Sequence, residues 1–222
     1  MAIVLIIGIL FINLKVVMKR GSIVTKGIPI EKYHSDNSVL VIIDIQEYTT
    51  GVVSINEVFK NEADDLILKI NRITEKSYEN GIPVIYILSE ISNPLINLIN
   101  SSAAVGSLGA QLDARLKIVS DFIIPKEKQD AFSNPKLDSI LIKNEISRLF
   151  VVGLDAAYCV NSTIEGARNR GYKVVAISDV IISDPDTVKI QMLEEYADRG
   201  VDIIDTKEFI EDITGGSALE ID

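Results

Sequence analysis

Cysteine and histidine are nearly missing from this sequence, which contains one cysteine, Cys159, one histidine, His34, and no tryptophan. A single cysteine excludes an intrachain disulfide and a zinc site built on several thiolates, and it is typical of a reducing compartment. A single histidine is too few for an imidazole metal site and leaves only His34 for a Ser-His-Asp triad. His34 lies in a polar stretch typical of a solvated surface. We therefore predict no metal, no cofactor and a cytoplasmic location.

Basic residues are the minority among the charged ones. The chain has 22 Lys and Arg against 32 Asp and Glu, a formal net charge of -10. Nucleic-acid binding requires clustered Lys and Arg that displace counterions, so we predict no nucleic-acid partner. The glycine patterns G-x-G-x-x-G and G-x-x-x-x-G-K-[ST] are also absent. Their absence disfavours one alternative, a flavodoxin-like domain that binds a nucleotide or phosphate.

The longest apolar run is at the start of the sequence. Residues 1–14 are apolar except for Asn13, but a bilayer span needs about 20 such residues. No basic residue precedes the run and no small-residue cleavage site follows it, which disfavours a secretory signal. Three alternatives remain: a strand or helix that docks on the domain or on a partner subunit, membrane contact through residues 1–18, or a true start at Met18. We divide the chain into a hydrophobic extension (1–36), one folded domain (37–213) and a polar tail (214–222).

From residue 38 onward, short apolar runs alternate with longer amphipathic ones. This alternation is typical of β-α-β units on a parallel sheet, so we predict an α/β fold. It is expected to be a three-layer α-β-α sandwich with a six-stranded, mainly parallel sheet of Rossmann-like topology. The predicted strands are residues 38–44, 83–88, 122–124, 149–154, 173–178 and 201–204, and the predicted helices are residues 57–80, 137–146, 161–169 and 188–197. Residues 89–109 are predicted as a loop or short helix.

Three chemically active residues follow predicted strands: Asp44, Lys126 and Cys159. Ligands of such sheets bind at the carboxyl ends of the strands, so these residues are expected to share one edge. A thiol pKa falls beside a cation or a helix N-terminus, and Lys126 and the helix at residues 161–169 could supply both. Asp44 could then carry the proton that a histidine usually carries. The alternatives are a small core cysteine, a turn-forming aspartate and a solvated lysine, with Lys128 as a competitor for the cation.

The surrounding motifs resemble the isochorismatase-like cysteine hydrolase superfamily. VLVIIDIQEY (residues 39–48) resembles its opening strand with D-x-Q, and KEKQDAF (126–132) resembles its lysine block. GLDAAYCVNSTIEGARNRGY (153–172) resembles its cysteine block, and GSLGAQL (106–112) its connecting segment. The motifs occur in the family's order over most of residues 38–210.

The resemblance implies a role for each of the three residues. Asp44 would be the general base, Lys126 the cation that orients Asp44 and lowers the thiol pKa, and Cys159 the nucleophile. It also implies a cis peptide between Leu154 and Asp155, with the backbone amides of Asp155 and Cys159 forming an oxyanion hole. Asp155 stands where the family usually has a smaller residue.

Departures from the family narrow the expected reaction. Nicotinamidases of this superfamily bind a metal through Asp and His near the second strand, but residues 89–100 contain neither. True isochorismatases lack the cysteine. The resemblance thus implies an amidohydrolase that cleaves a C–N bond of a small amide, carbamoyl or ureido compound through a thioester. The alternative is a catalytically silent relative that serves in assembly or binding.

Three aromatic residues flank the catalytic candidates in sequence. Tyr48, Phe132 and Tyr158 are predicted to line the substrate pocket, although aromatic residues at such places are at least as often part of the core. The family resemblance also implies a homo-oligomer, a dimer or a tetramer.

Overall fold

The sheet at the centre of the molecule has six strands, all parallel, in the order β3-β2-β1-β4-β5-β6. The computed structural model describes residues 19–33 and 36–215. The strands are β1 Asn37–Ile43, β2 Val84–Ser89, β3 Ile123–Lys126, β4 Ile146–Gly153, β5 Lys173–Ile181 and β6 Asp202–Ile204. The helices are α1 Glu57–Glu79, α2 Pro94–Ile99, α3 Pro135–Lys143, α4 Asn161–Arg168, α5 Asp186–Asp198 and α6 Thr206–Ile213. The predicted α/β sandwich is confirmed.

Two hydrophobic cores cover the two faces of the sheet. Along β1, Val39, Val41 and Ile43 pack on one face, with residues of α3, α4 and α5. Leu40 and Ile42 point to the other face, where α1 and α6 pack. Both sets are almost fully buried, which explains why β1 is a continuous apolar run: a parallel strand covered on both faces has no solvated side.

The strand order reverses between β1 and β4, and such a switch point leaves a crevice at the carboxyl ends of the strands. Gly153, the last residue of β4, lies there with φ +113°. A Cβ on this residue would lie 2.1 Å from the carbonyl oxygen of Ile43. Only glycine therefore allows the two strands to approach this closely where they leave the sheet.

The third strand differs from its prediction. We predicted a strand at residues 122–124 closed by Pro125, but β3 includes Pro125 and ends at Lys126. Proline has no backbone N–H to donate to a neighbouring strand. Pro125 is tolerated in β3 because this strand is at the edge of the sheet and pairs on one side only. Lys126 consequently lies in the strand, paired in register with Ser89 of β2.

Two helices also differ from the sequence prediction. The helix predicted at residues 137–146 ends at Lys143, because the chain turns at Glu145, which has φ +52°. Glycine usually occupies such a left-handed position, so its absence hid the helix end. Helix α6 was not predicted, although Asp205 and Glu208 form a capping box at its start, a pattern that is readable from sequence.

Residues 19–33, which we call the N-terminal arm, pack on the domain. The backbone N–H and hydroxyl of Thr25 donate to the Asp130 carboxylate at 2.8 and 2.7 Å, and Arg170 donates to the Thr25 hydroxyl at 2.9 Å. The carbonyl of Gly21 accepts from the amide of Gln129 at 3.0 Å. The arm thereby contacts the loop that follows Lys126.

A docking strand or helix, membrane contact and a start at Met18 were the alternatives for residues 1–18, which lie outside the described residues. His34 also lies outside them. Within the part of the chain that the structure describes, no helix combines the length and apolar character needed to cross a bilayer.

Replacing Thr25 with valine should destabilise the fold. The substitution keeps the side-chain shape but removes a hydroxyl that donates to one buried group and accepts from another, since Asp130 and Arg170 are 1% and 3% exposed. We expect the free energy of unfolding to fall by about 1–3 kcal/mol in urea titrations. Ser22→Ala is the control, because the Ser22 hydroxyl is exposed and its one hydrogen bond among the described residues goes to the Lys19 carbonyl. An equal effect of both substitutions would contradict this role of the arm.

Candidate active site

Asp44, Lys126 and Cys159 lie at the same edge of the sheet, each at or after the end of a different strand. Asp44 directly follows β1, Lys126 is the last residue of β3, and Cys159 lies on a single π-helical turn, Ala156–Val160, between β4 and α4. All three positions are at carboxyl ends of parallel strands, on both sides of the switch point.

Lys126 contacts both of the other side chains. Its Nζ donates to Asp44 Oδ2 at 2.9 Å and to Cys159 Sγ at 3.2 Å. The side chains of Lys126 and Asp44 are 0% and 4% exposed, so water screens this ion pair little. Lys128, the competitor for the cation, is exposed on the following loop. The structure therefore places Lys126, and not Lys128, beside the thiol.

The backbone at Asp44 turns out of the strand immediately after β1. Asp44 has φ +54°, a left-handed conformation that aspartate adopts more readily than most residues. Its amide donates to the carbonyl of Ile87 at 2.9 Å, and its carbonyl accepts from the Thr49 hydroxyl at 2.7 Å. These two bonds fix the backbone that carries the carboxylate.

The turn that carries Cys159 is held by Asp155. The Asp155 carboxylate accepts from the Ala157 amide at 2.8 Å and from the Ser183 hydroxyl at 2.7 Å. The backbone carbonyl of Asp155 accepts from the amides of Tyr158 and Val160. The carboxylate is thus engaged within the turn and with the loop after β5.

The peptide between Leu154 and Asp155 is cis, as the family resemblance implied. Among the described residues, the backbone N–H of Asp155 donates to no protein acceptor. An amide in that state is available to a ligand oxygen.

The thiol of Cys159 differs from the sequence prediction in its electrostatics. Burial and the Asp44 charge raise the pKa of Cys159 to about 12, although Lys126 acts to lower it. Burial also lowers the pKa of Lys126, but Asp44 and Cys159 outweigh it, so the net pKa is raised and the ammonium stays charged. Lys126 lowers the thiol pKa as expected, but burial and the Asp44 carboxylate outweigh it, so the expected net depression of the Cys159 pKa is not found.

Loss of the Cys159 proton to solvent would place a second negative charge next to Asp44, and this repulsion contributes to the raised pKa of the thiol. Transfer of the same proton from Cys159 to Asp44 is different, because the site then still holds one anion and one cation. Lys126 contacts both atoms that can carry the anion. An internal transfer therefore forms the thiolate beside Lys126 without adding a second negative charge to the site.

Sequence reasoning assigned no role to Ser89, which the structure places at this site. The Ser89 hydroxyl accepts from Lys126 Nζ at 2.7 Å and bonds Asp44 Oδ1 at 3.1 Å. Gln46, the third residue of the D-x-Q motif, accepts from the Ser89 amide at 2.7 Å and donates to its carbonyl at 3.1 Å. The only sequence signal for Ser89 was its position at the end of a strand beside β1.

The three aromatic candidates have different environments. Tyr48 lies near the site, where burial and then the charges of Asp44 and Cys159 raise its pKa. Tyr158 is 55% exposed on the turn that carries Cys159. Phe132 is 3% exposed and stacks on Tyr172 within the core, with ring centroids 5.9 Å apart. Phe132 is therefore a core residue, whereas Tyr48 and Tyr158 remain predicted pocket residues.

The donor set does not fit the metal site that a resemblance to nicotinamidases would imply. Within residues 19–33 and 36–215, no group of three or more His, Cys, Asp or Glu side chains could hold a metal ion. Ser89 at the end of β2 and Glu90 directly after it stand where the resemblance to nicotinamidases would require histidines.

Comparison with known proteins assigns the family. Residues 38–208 match the isochorismatase domain model. The chain belongs to the isochorismatase family. It is 24% identical over 160 residues to the secreted isochorismatase effector Isc1 of Verticillium dahliae, a match that covers 70% of this chain and 77% of that protein.

Two further relatives fit this assignment. An N-carbamoylsarcosine amidase of Arthrobacter is 26% identical over 136 residues, covering 53% of this chain and 50% of the amidase. The chain thus spans half the length of that amidase. The crystal structure of a cysteine hydrolase from Pseudomonas syringae superposes with a TM-score of 0.71 at 20% identity, covering 86% of this chain and 99% of that one. At that identity the likeness shows the isochorismatase-like hydrolase fold alone.

Alkylation of Cys159 should report the charges at this site. With a pKa of about 12, the thiol should react with iodoacetamide at pH 7 more slowly than free cysteine, and the rate should rise with pH across the alkaline range. Asp44→Asn removes the charge that raises the thiol pKa and should accelerate labelling by about ten-fold or more at pH 7.

Lys126→Met is the opposite control for this labelling experiment. It removes the charge that lowers the thiol pKa, so labelling should become slower than in the wild type. Because Cys159 is the only cysteine, intact mass counts the adduct directly. Slower labelling in Asp44→Asn than in the wild type would contradict the electrostatic description.

Proposed function

We propose that this protein is a cysteine hydrolase that cleaves the C–N bond of a small amide, carbamoyl or ureido compound through a thioester acyl-enzyme. The observation that carries the proposal is the contact of one buried ammonium, Lys126, with both Asp44 and Cys159 at hydrogen-bond distance. This geometry allows the nucleophile to lose its proton to the adjacent base while the local charge stays constant.

In the first step, the Cys159 sulfur attacks the carbonyl carbon of the substrate, and the thiol proton passes to Asp44. The new S–C bond turns the carbonyl oxygen into an oxyanion. Lys126 compensates the negative charge while it is on sulfur. The Asp155 amide N–H is the group we assign as an oxyanion donor, since it has no protein acceptor among the described residues.

The tetrahedral adduct then collapses. The C–N bond breaks, Asp44 returns its proton to the leaving nitrogen, and ammonia or an amine departs from the thioester. A water molecule next attacks the thioester carbon while Asp44 accepts one of its protons. The C–S bond breaks, Cys159 recovers its proton from Asp44, and the acid product leaves.

The substrate class is supported by the family and by the residues present. One relative bears the name N-carbamoylsarcosine amidase, whose substrate carries a ureido-type C–N bond. Cleavage of a vinyl ether, the reaction that names the family, does not use a cysteine nucleophile, whereas this chain places Cys159 beside an acid and a base. A small amide or carbamoyl compound therefore fits the site best.

Ammonia release from a panel of small amides and ureido compounds tests this function. Wild-type protein should release ammonia from at least one compound, and Cys159→Ala should lose the activity entirely. Lys126→Met should lower kcat by at least about 100-fold. The ammonium stabilises the thiolate that forms when the proton of Cys159 passes to Asp44, and the methionine cannot replace this charge. The matched control is Lys128→Met, which removes an exposed lysine two positions away and should retain activity.

Mass spectrometry of the quenched reaction gives an independent check. A steady-state acyl adduct should appear on the chain and should be absent from Cys159→Ala, since the chain has no other thiol. Hydrolysis by Cys159→Ala at the wild-type rate, or an adduct on another residue, would contradict the proposed nucleophile.

A further inference from the structure

The middle strand of the site carries a residue to which neither the motifs nor the family comparison assigns a role. The strand order is β3-β2-β1, so Lys126 and Asp44 come from strands that are not neighbours. Adjacent strands are about 4.8 Å apart, so these two backbones are separated by roughly twice that distance. Ser89, the last residue of β2, lies between them and is paired in register with Lys126.

The hydrogen bonds of the ammonium explain what Ser89 contributes. A lysine ammonium has three donors and no acceptor. In this site the three bonds go to Asp44 Oδ2 at 2.9 Å, to Ser89 Oγ at 2.7 Å and to Cys159 Sγ at 3.2 Å. With two protons held by oxygen atoms, the third is directed at the sulfur.

The Ser89 hydroxyl also orients the base. Because its oxygen accepts from Lys126, its single proton is available to Asp44 Oδ1, 3.1 Å away. The two carboxylate oxygens of Asp44 are thereby held by different donors, the hydroxyl at Oδ1 and the ammonium at Oδ2. The carboxylate cannot rotate without breaking one of these bonds.

The backbone of Ser89 is itself fixed by a buried side chain. Gln46, 0% exposed, bonds both the amide and the carbonyl of Ser89 and also donates to the Ala110 carbonyl at 2.8 Å. A strand-ending serine with only a structural role would not need its hydroxyl between two charged groups.

We propose that Ser89 is a positioning residue that directs the Lys126 ammonium at the Cys159 sulfur and holds Asp44 in its proton-accepting orientation. This inference rests on the proposed function for its effect on turnover. Its effect on the thiol does not depend on any substrate.

The test measures Cys159 alkylation and turnover in Ser89→Ala, Ser89→Thr and Ser107→Ala. In Ser89→Ala the ammonium is no longer directed at the sulfur, so the iodoacetamide rate at pH 7 should fall about ten-fold. The kcat for the best amide should fall similarly while KM changes little, and the labelling profile should move to higher pH. Ser89→Thr keeps a hydroxyl and should restore both rates to near wild type.

Ser107→Ala is the matched control, because the Ser107 hydroxyl is also partly buried and, within residues 19–33 and 36–215, bonds backbone groups alone, those of Ser102 and Ala110. Ser107→Ala should be alkylated and should turn over substrate at the wild-type rates.

A wild-type alkylation rate in folded Ser89→Ala would overturn the inference. If Ser89→Ala does not fold, Ser89→Thr still decides, because loss of labelling in a folded threonine variant would show that the hydroxyl is not what matters. If labelling changes as expected but no compound is hydrolysed, the proposed function fails and the role of Ser89 stands.

Discussion

The site depends on one buried cation. An ammonium removed from water is strongly unfavourable unless charged and polar groups replace its hydration. Lys126 satisfies this condition with a carboxylate, a hydroxyl and a thiol, all within hydrogen-bond distance. Because Lys126 needs all three partners, the positions of Asp44, Ser89 and Cys159 are coupled, and the chemistry of the thiol cannot be separated from the packing of the sheet edge.

The parallel sheet is what brings these partners together. Lys126 is 82 residues from Asp44 and 33 residues from Cys159 along the chain. Parallel strands all end at the same edge, so three β-α units deliver one group each to that edge. The reversal of strand order between β1 and β4, with glycine at the closest approach, opens the crevice in which they meet. The N-terminal arm, outside the matched family domain, adds contacts to the loop after Lys126.

The electrostatics disfavour a Cys159 thiol that ionises in advance. Burial makes an isolated thiolate at Cys159 unfavourable, and the adjacent Asp44 charge adds to this. The same burial strengthens the attraction of Lys126 for whichever group holds the anion. In the hydrolase that we propose, such a thiol would react only when a substrate accepts the sulfur.

Local patterns in the sequence were sufficient for the sandwich architecture and for Asp44, Lys126 and Cys159 as residues at strand ends, because runs of apolar residues and the family motifs are local signals. They were not sufficient for Ser89, for the core position of Phe132 or for the end of α3 at Glu145, which has no glycine to mark it. The raised thiol pKa was also decided only by the tertiary structure. Burial, and the distance of one charge from another, are set by segments far apart in the chain, and no local pattern encodes them.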